Sequence, residues 1–294
     1  MGAPSGRKLS IIWWRMADNI DSDYFEVYLV TSQAGGLEPS VGRPYGVGKS
    51  TFALWFAYRA WAYDRGTLWI DWENQVVVDE TPENERRKIF EEIIENWLFY
   101  SLPDLLDAVS RARKRIPAVV WDDAQLDCPS GHNITAEKRE LIARITTLRP
   151  MLANLVLTAP SISDLAKPLR RLINWEVIVP RRGVYEVQFI MKRRDYYDPY
   201  QDRERLWYDA SGTFDPLPED VQKLYQRKRE EVVRKLSTKR EEKEAPEVDI
   251  DKLILGLHKE GVSIRKIARG VNMPPTTVYR RLKKLNALPR DVPH

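Results

Sequence analysis

Cysteine occurs once in the 294 residues, at Cys128. A single thiol excludes an intramolecular disulfide and leaves too few sulfur ligands for a Cys-rich zinc site. No run of eighteen apolar residues exists, so no membrane-spanning helix is expected. The apolar patch Leu9 to Trp14 is too short for a secretory signal. With no membrane or export signal, the expected location is the cytoplasm. Asparagine, glutamine and cysteine are sparse beside a charged fraction of 31%, a balance that leans towards a thermophilic source. No internal repeat is apparent.

What is present is ample core material: 43% hydrophobic residues and ten tryptophans. The length suggests about two domains. Charge is unevenly placed. Ten Lys/Arg stand against four Asp/Glu from Asp249 to His294, so that segment carries +6 and the remainder −2 of the net +4. A basic tail on a near-neutral body points to a polyanionic partner.

Residues 42–51 read Gly-Arg-Pro-Tyr-Gly-Val-Gly-Lys-Ser-Thr. This is the pattern of a phosphate-binding loop. Gly46 and Gly48 let the backbone turn so that consecutive N–H groups, Val47 among them, point at one anion. Lys49 supplies charge for the β- and γ-phosphates, and Ser50 a hydroxyl for Mg²⁺. Thr51 opens an apolar, aromatic helix running to Tyr63, whose N-terminus adds a positive dipole end. ATP or GTP is the implied ligand. In the usual pattern a glycine stands five residues before Gly48; here that position is Arg43, and the glycine sits one place earlier at Gly42. The feeding strand is Tyr24 to Thr31, rich in β-branched and aromatic residues. It should be central in the sheet, with Ser32–Val41 leaving it as an inserted surface loop.

Val119-Val120-Trp121-Asp122-Asp123 is an apolar strand that delivers two carboxylates. Asp122 is assigned to Mg²⁺ and Asp123 to orienting or deprotonating the attacking water. Glu73, at the end of Ile70-Asp71-Trp72-Glu73, competes for that role. Thr158 ends the next strand; its resemblance to the sensor position of AAA+ ATPases implies contact with the γ-phosphate or the water. Arg170 and Arg171 follow on a helix spanning Ser163 to Leu172; resemblance to oligomeric ATPases implies that an arginine here reaches a neighbouring subunit's nucleotide. Strands alternating with helices imply an α/β fold with a mostly parallel sheet covered on both faces. The expected domains are an ATPase domain over 1–215, a charged helical linker over 216–248, broken at Ala245-Pro246, and a small all-α domain over 249–294.

Ser263 to Leu282 has the pattern of a helix-turn-helix. Ile267, Ala268, Met273, Val278 and Leu282 supply the core, Asn272 sits at the turn, and Ile250, Leu253, Ile254 and Leu257 form a support helix. Pro275, Thr276, Thr277, Tyr279 and Arg280 are left to reach base edges; Arg281, Lys283 and Lys284 are left for phosphates. A three-helix protein-docking module is the alternative, against which the basic bias argues.

Together these residues resemble AAA+ or RecA-like phosphate-loop ATPases fused to a resolvase- or MarR-like helix-turn-helix, over about residues 20–215 and 249–290. The Ile70–Glu73 strand end resembles the RecA group, and Thr158 the sensor position of AAA+ ATPases. The arrangement is similar to small ATPases of archaeal plasmids and viruses, and more distantly to DnaA-type initiators and helicase loaders. The resemblance implies ATP and Mg²⁺ as cofactors, double-stranded DNA as partner, and a homo-oligomer at work in plasmid or viral replication, loading or partition. A nucleotide-switched transcription regulator and a DNA packaging or transfer motor are the alternatives.

Overall fold

Three apolar runs become buried strands lying side by side. In the computed structural model, which describes residues 7–8, 10–32, 46, 48–130, 135–192, 203–244, 250–271 and 273–285, the elements run β1 (Arg7–Lys8), α1 (Ile11–Asp21), β2 (Glu26–Thr31), α2 (Lys49–Asp64), β3 (Leu68–Asp71), β4 (Val76–Asp79), α3 (Glu83–Glu92), β5 (Leu98–Phe99), α4 (Leu102–Ser110), β6 (Ile116–Trp121), α5 (Ala124–Asp127), α6 (Ala136–Arg144), β7 (Leu152–Thr158), α7 (Lys167–Arg170), β8 (Trp175–Arg181), β9 (Val184–Lys192), β10 (Arg203–Thr213), α8 (Glu219–Glu244), α9 (Ile250–Lys259), α10 (Ile264–Gly270) and α11 (Pro275–Lys284). Most of the expected Ser32–Val41 loop, along with Gly42, Arg43, Val47, Asn272 and the Ala245-Pro246 break, lies outside the described residues.

The main sheet has seven strands in the order β10-β9-β8-β2-β7-β6-β5. From β8 to β5 neighbouring strands are parallel, and β9 and β10 add an antiparallel extension. β2 is central, as its composition predicts. Every residue of β2, β6 and β7 is buried, as parallel strands covered on both faces must be. Alternate residues of β2 feed opposite cores. Tyr28 and Val30 pack with α1, α2 and α3; Val27 and Leu29 pack with α4, α6 and α7. The sheet is therefore helix-covered on both sides.

Glu26, at the start of β2, is buried and ties α1 to the sheet. Its carboxylate accepts from Arg15, Asn19, Tyr28 and Trp175 at 2.6–3.2 Å. Pairing and full hydrogen bonding are what make a buried carboxylate tolerable. Cys128 is also buried, and burial, aided by Asp127, pushes its thiol up to about 12, so it is an inert core residue.

β3 departs from the sequence reading. It joins β4 and β1 in a separate antiparallel sheet of three strands. The reason is the turn that follows it. Asp71 Oδ1 accepts from the N–H groups of Glu73 and Asn74 at 3.1 and 3.0 Å, and Gln75 takes a left-handed φ of 53°. This Asx-type turn returns the chain at once, so Val76–Asp79 pairs antiparallel with β3 before any helix can carry it across the main sheet. The expected helix from Ser163 to Leu172 shortens to α7, with a 3-10 turn at Ile162–Asp164. α3 runs on into a π-helical turn, Ile93–Trp97, and Leu98 begins β5.

The chain divides into two compact units, Met1–Arg229 and Glu230–His294. In the second unit, α9, α10 and α11 surround Ile254, Ile267, Ala268, Val278 and Leu282. Leu253 lies on the support helix α9 as expected and is 41% exposed. Among the described residues no helix is long and apolar enough to cross a membrane.

Candidate nucleotide site

The carboxyl ends of β2, β7 and β6 point the same way, which in open α/β sheets is where ligands bind. Beyond β2, the chain enters α2 through Gly46 and Gly48, with φ of 81° and 103°. These are left-handed values that favour glycine. At Gly48 it is this backbone angle that calls for glycine, since a Cβ there would make only ordinary contact with the Phe214 ring at 3.4 Å. Lys49 opens α2 and is nearly buried. Burial lowers its pKa, opposed by the fields of Asp123 and Asp122 and assisted by that of Arg229.

Asp122 follows β6 and is fully buried. Three hydroxyls converge on it. Ser50 Oγ and Thr158 Oγ1 donate to Oδ1 at 2.8 and 2.6 Å, and the Tyr225 hydroxyl donates to Oδ2 at 2.8 Å. Thr158 also accepts the N–H of Asp123 at 2.9 Å. One strand, β7, separates the loop-bearing strand from the carboxylate-bearing one, and its last residue braces both aspartates. Asp123 adopts φ 52°, ψ 43° and accepts from Arg229 Nη2 at 3.0 Å and Gln125 Nε2 at 3.3 Å.

The residues fit a magnesium–nucleotide pair. Ser50 and Asp122 offer one hydroxyl and one carboxylate side by side. No group of three or more His, Cys, Asp or Glu able to hold a metal occurs among the described residues. Mg²⁺ needs no all-protein cage, because water and phosphate oxygens complete its shell. A cavity of about 660 Å³ opens over these groups, a size suited to a nucleotide. Its floor includes Gly46, Gly48, Lys49, Ser50 and Thr51, and its walls come from Arg182–Gly183, Phe214–Leu217 and the first turns of α8. Arg182 Nε donates to the Gly46 carbonyl at 2.9 Å, so the β8–β9 hairpin buttresses the loop.

The remaining sequence expectations divide. Glu73 is exposed in the β3–β4 turn of the separate sheet and does not line the cavity; the turn that removes β3 from the main sheet removes Glu73 from the site. Arg170 and Arg171, at the end of α7, do not line it either; the expectation for them concerned a neighbouring subunit's nucleotide, not this cavity. Conversely, Tyr225 and Arg229 were not foreseen. They lie in the segment read as a linker, yet both belong to the first compact unit. The available signal was the apolar spacing Leu217, Val221, Tyr225 at the start of a charged helix. All three are buried in the core around Phe52 and Tyr185.

Burial, with the Asp123 charge beside it, raises the pKa of Asp122. The unfolded chain releases this proton near the ordinary carboxylate value while the fold still retains it. Stability therefore falls as pH rises through that window, and the loss persists at neutral pH. Asp122→Asn is expected to raise the thermal midpoint of the nucleotide-free protein at pH 7 by a few degrees, while leaving it near unchanged at pH 3. Thermal unfolding at the two pH values checks this.

In the second unit, Pro275, Thr276, Tyr279, Arg280, Lys283 and Lys284 are exposed on α11, with Val278 and Leu282 turned inward. Thr277 is half-buried. Arg281, expected at phosphates, donates to Asp251 of α9 at 2.8 Å.

No family profile and no curated protein matches the sequence. Among solved structures, the genome packaging NTPase B204 of Sulfolobus turreted icosahedral virus 2 bound to ATP-gammaS is 10% identical, with a TM-score of 0.32 over 57% of this chain and 93% of that one. The same protein bound to AMP gives 13% identity and 0.30 over 53% and 75%. The N-terminal domain of zonular occludens toxin from Neisseria meningitidis gives 15% identity and 0.31 over 69% and 99%. Similarity at this level is too slight to transfer a function. What the structure itself shows is a mostly parallel α/β sheet covered by helices on both faces, with Gly46, Gly48, Lys49 and Asp122 gathered at its carboxyl edge.

Proposed function

We propose that this chain binds and hydrolyses ATP with Mg²⁺, and couples the turnover to assembly on double-stranded DNA in plasmid or viral replication, loading or partition. The observation that carries the nucleotide reading is the convergence of Ser50, Thr158 and Tyr225 on Asp122 at 2.6–2.8 Å, beside Lys49. Chance glycine-rich turns do not come with a buried carboxylate aimed at the first hydroxyl of the following helix.

In this reading the loop amides and Lys49 hold the phosphates, and Ser50 and Asp122 hold the ion, which would neutralise charge on the phosphates. Asp123 orients a water against the γ-phosphorus and takes its proton as the β–γ bridging oxygen leaves with ADP. Thr158 positions both aspartates. For the second unit, α11 is the element proposed to enter the major groove. The support is its exposed Thr276, Tyr279 and Arg280 and the +6 charge of the segment that contains it. Several copies are proposed to assemble along the duplex.

ATP hydrolysis measured with and without duplex DNA, alongside assembly size, tests the whole. DNA-stimulated turnover with growth in size supports it. Binding without turnover assigns a nucleotide-switched regulator, and net movement along DNA assigns a packaging or transfer motor. Arg280→Ala is expected to cost about 1–3 kcal/mol of binding and to relax sequence preference if it reads a base. Lys283→Ala should weaken all sequences alike and reduce the salt slope. Binding titrations at several salt concentrations check both.

A further inference from the structure

The first turns of α8 place a second cation at the carboxylate end of the cavity. Arg229 lines the same cavity as Gly48, Lys49 and Ser50, and its Nη2 is 3.0 Å from Asp123 Oδ2. Its attachment is firm. Tyr225, one helical turn earlier, is buried with its hydroxyl on Asp122 Oδ2, and Val221 is buried a turn before that. Its head group is half exposed at the cavity, with a side chain 51% accessible, and its ion pair is with a single carboxylate. Burial works against its charge, but the fields of Tyr225, Asp123 and Asp122 outweigh this and keep the guanidinium cationic.

The position decides which phosphate it meets. Lys49 and Ser50 are the loop residues suited to the β- and γ-phosphates, and Ser50 is hydrogen-bonded to Asp122. Arg229 is on Asp123, the one of the two carboxylates that lines the cavity with them. The other arginine of the cavity, Arg182, is held at Gly46, on the loop itself. A triphosphate entering here adds several negative charges next to a guanidinium whose present partner is one carboxylate. A γ-phosphate offers that fork a bidentate acceptor of higher charge.

We propose that Arg229 is a γ-phosphate ligand supplied from within the same chain, exchanging Asp123 for the phosphate when ATP binds. The exchange has a second effect. While Arg229 occupies Oδ2, that oxygen is not presented to an attacking water. Its release frees Asp123 to face the attacking water at the moment the γ-phosphate is in place. ADP, lacking the γ-phosphate, leaves the Asp123–Arg229 pair intact. This inference rests on the ATP reading of the site.

The test is calorimetric titration of the full chain with Mg²⁺–ATPγS and with Mg²⁺–ADP, comparing wild type, Arg229→Ala, Arg229→Lys and Arg182→Ala. Arg229→Ala is expected to lose about 10- to 100-fold in ATPγS affinity, with ADP affinity within about twofold of wild type. Arg229→Lys should recover part of the loss, and it serves in place of the alanine variant should that fail to fold. Equal losses for both nucleotides, no loss for either, or a triphosphate-specific loss at Arg182→Ala but not at Arg229 would overturn the assignment. A wild-type protein that binds neither nucleotide overturns the ATP reading itself.

Discussion

Lys49→Ala is expected to reduce ATP hydrolysis to background and ATP affinity by about 10- to 100-fold, the range for losing a charged hydrogen bond. The size of the effect follows from where the ammonium sits. Lys49 is nearly buried, and its own pKa is lowered by burial. The charge is therefore held in a poorly solvated place, where its attraction to phosphate is less screened than at a surface. Its removal also leaves Asp122 and Asp123 repelling the incoming triphosphate. The binding of duplex DNA proposed for the second unit should be unaffected. Steady-state phosphate release and nucleotide titration on one preparation check both halves. Unchanged hydrolysis in the purified variant would remove the phosphate-loop assignment.

Asp123→Asn is expected to retain ATP and hydrolyse it about 10²–10⁴-fold more slowly, the usual cost of removing a general base. The geometry singles out this carboxylate. Asp122 is already saturated by three hydroxyls and buried, so it cannot take a proton from water without giving up its place. Asp123 is partly exposed at the cavity, with a side chain 20% accessible, and is braced through its own N–H by Thr158. Glu73→Gln serves as the contrast. Glu73 is exposed in a turn of the separate sheet, so turnover should stay within about twofold of wild type. Single-turnover hydrolysis of the two variants decides between them, and the reverse ranking would return Glu73 to the catalytic role.

The parts legible in the sequence were those where one local signal suffices. β2, β6 and β7 are continuous apolar runs, and the loop glycines announce themselves by spacing. Asp122 was legible because it ends such a run. β3 carried the same signal, and only its turn separates it from the main sheet. The cue lay in Asp71 and Asn74, side chains suited to closing a hairpin, rather than in the strand. α1 was missed because Ile11, Ile12, Trp13 and Trp14 are residues that favour strands. Its burial at Ile12, Trp13, Met16 and Ala17 follows helical spacing, so tertiary packing overrode propensity. Tyr225 and Arg229 were hidden for a different reason. The long-range pairing of Tyr225 with Asp122 spans 103 residues, and no local pattern reports a partner that far away.

The left-handed backbone at Asp123 bears on why that residue is an aspartate. The strand ends, the chain must turn at once into α5, and the turn is made at φ 52°. Few side chains accept this conformation, and aspartate and asparagine lead among those that do, since most others add about 1–2 kcal/mol of steric cost. The short acid is thus selected by the bend before any demand of chemistry is felt. A longer glutamate would gain reach towards the γ-phosphorus but would strain the turn. Whatever the chemistry at this residue, the backbone has narrowed the choice of acid at this corner to the side chain that the bend tolerates best.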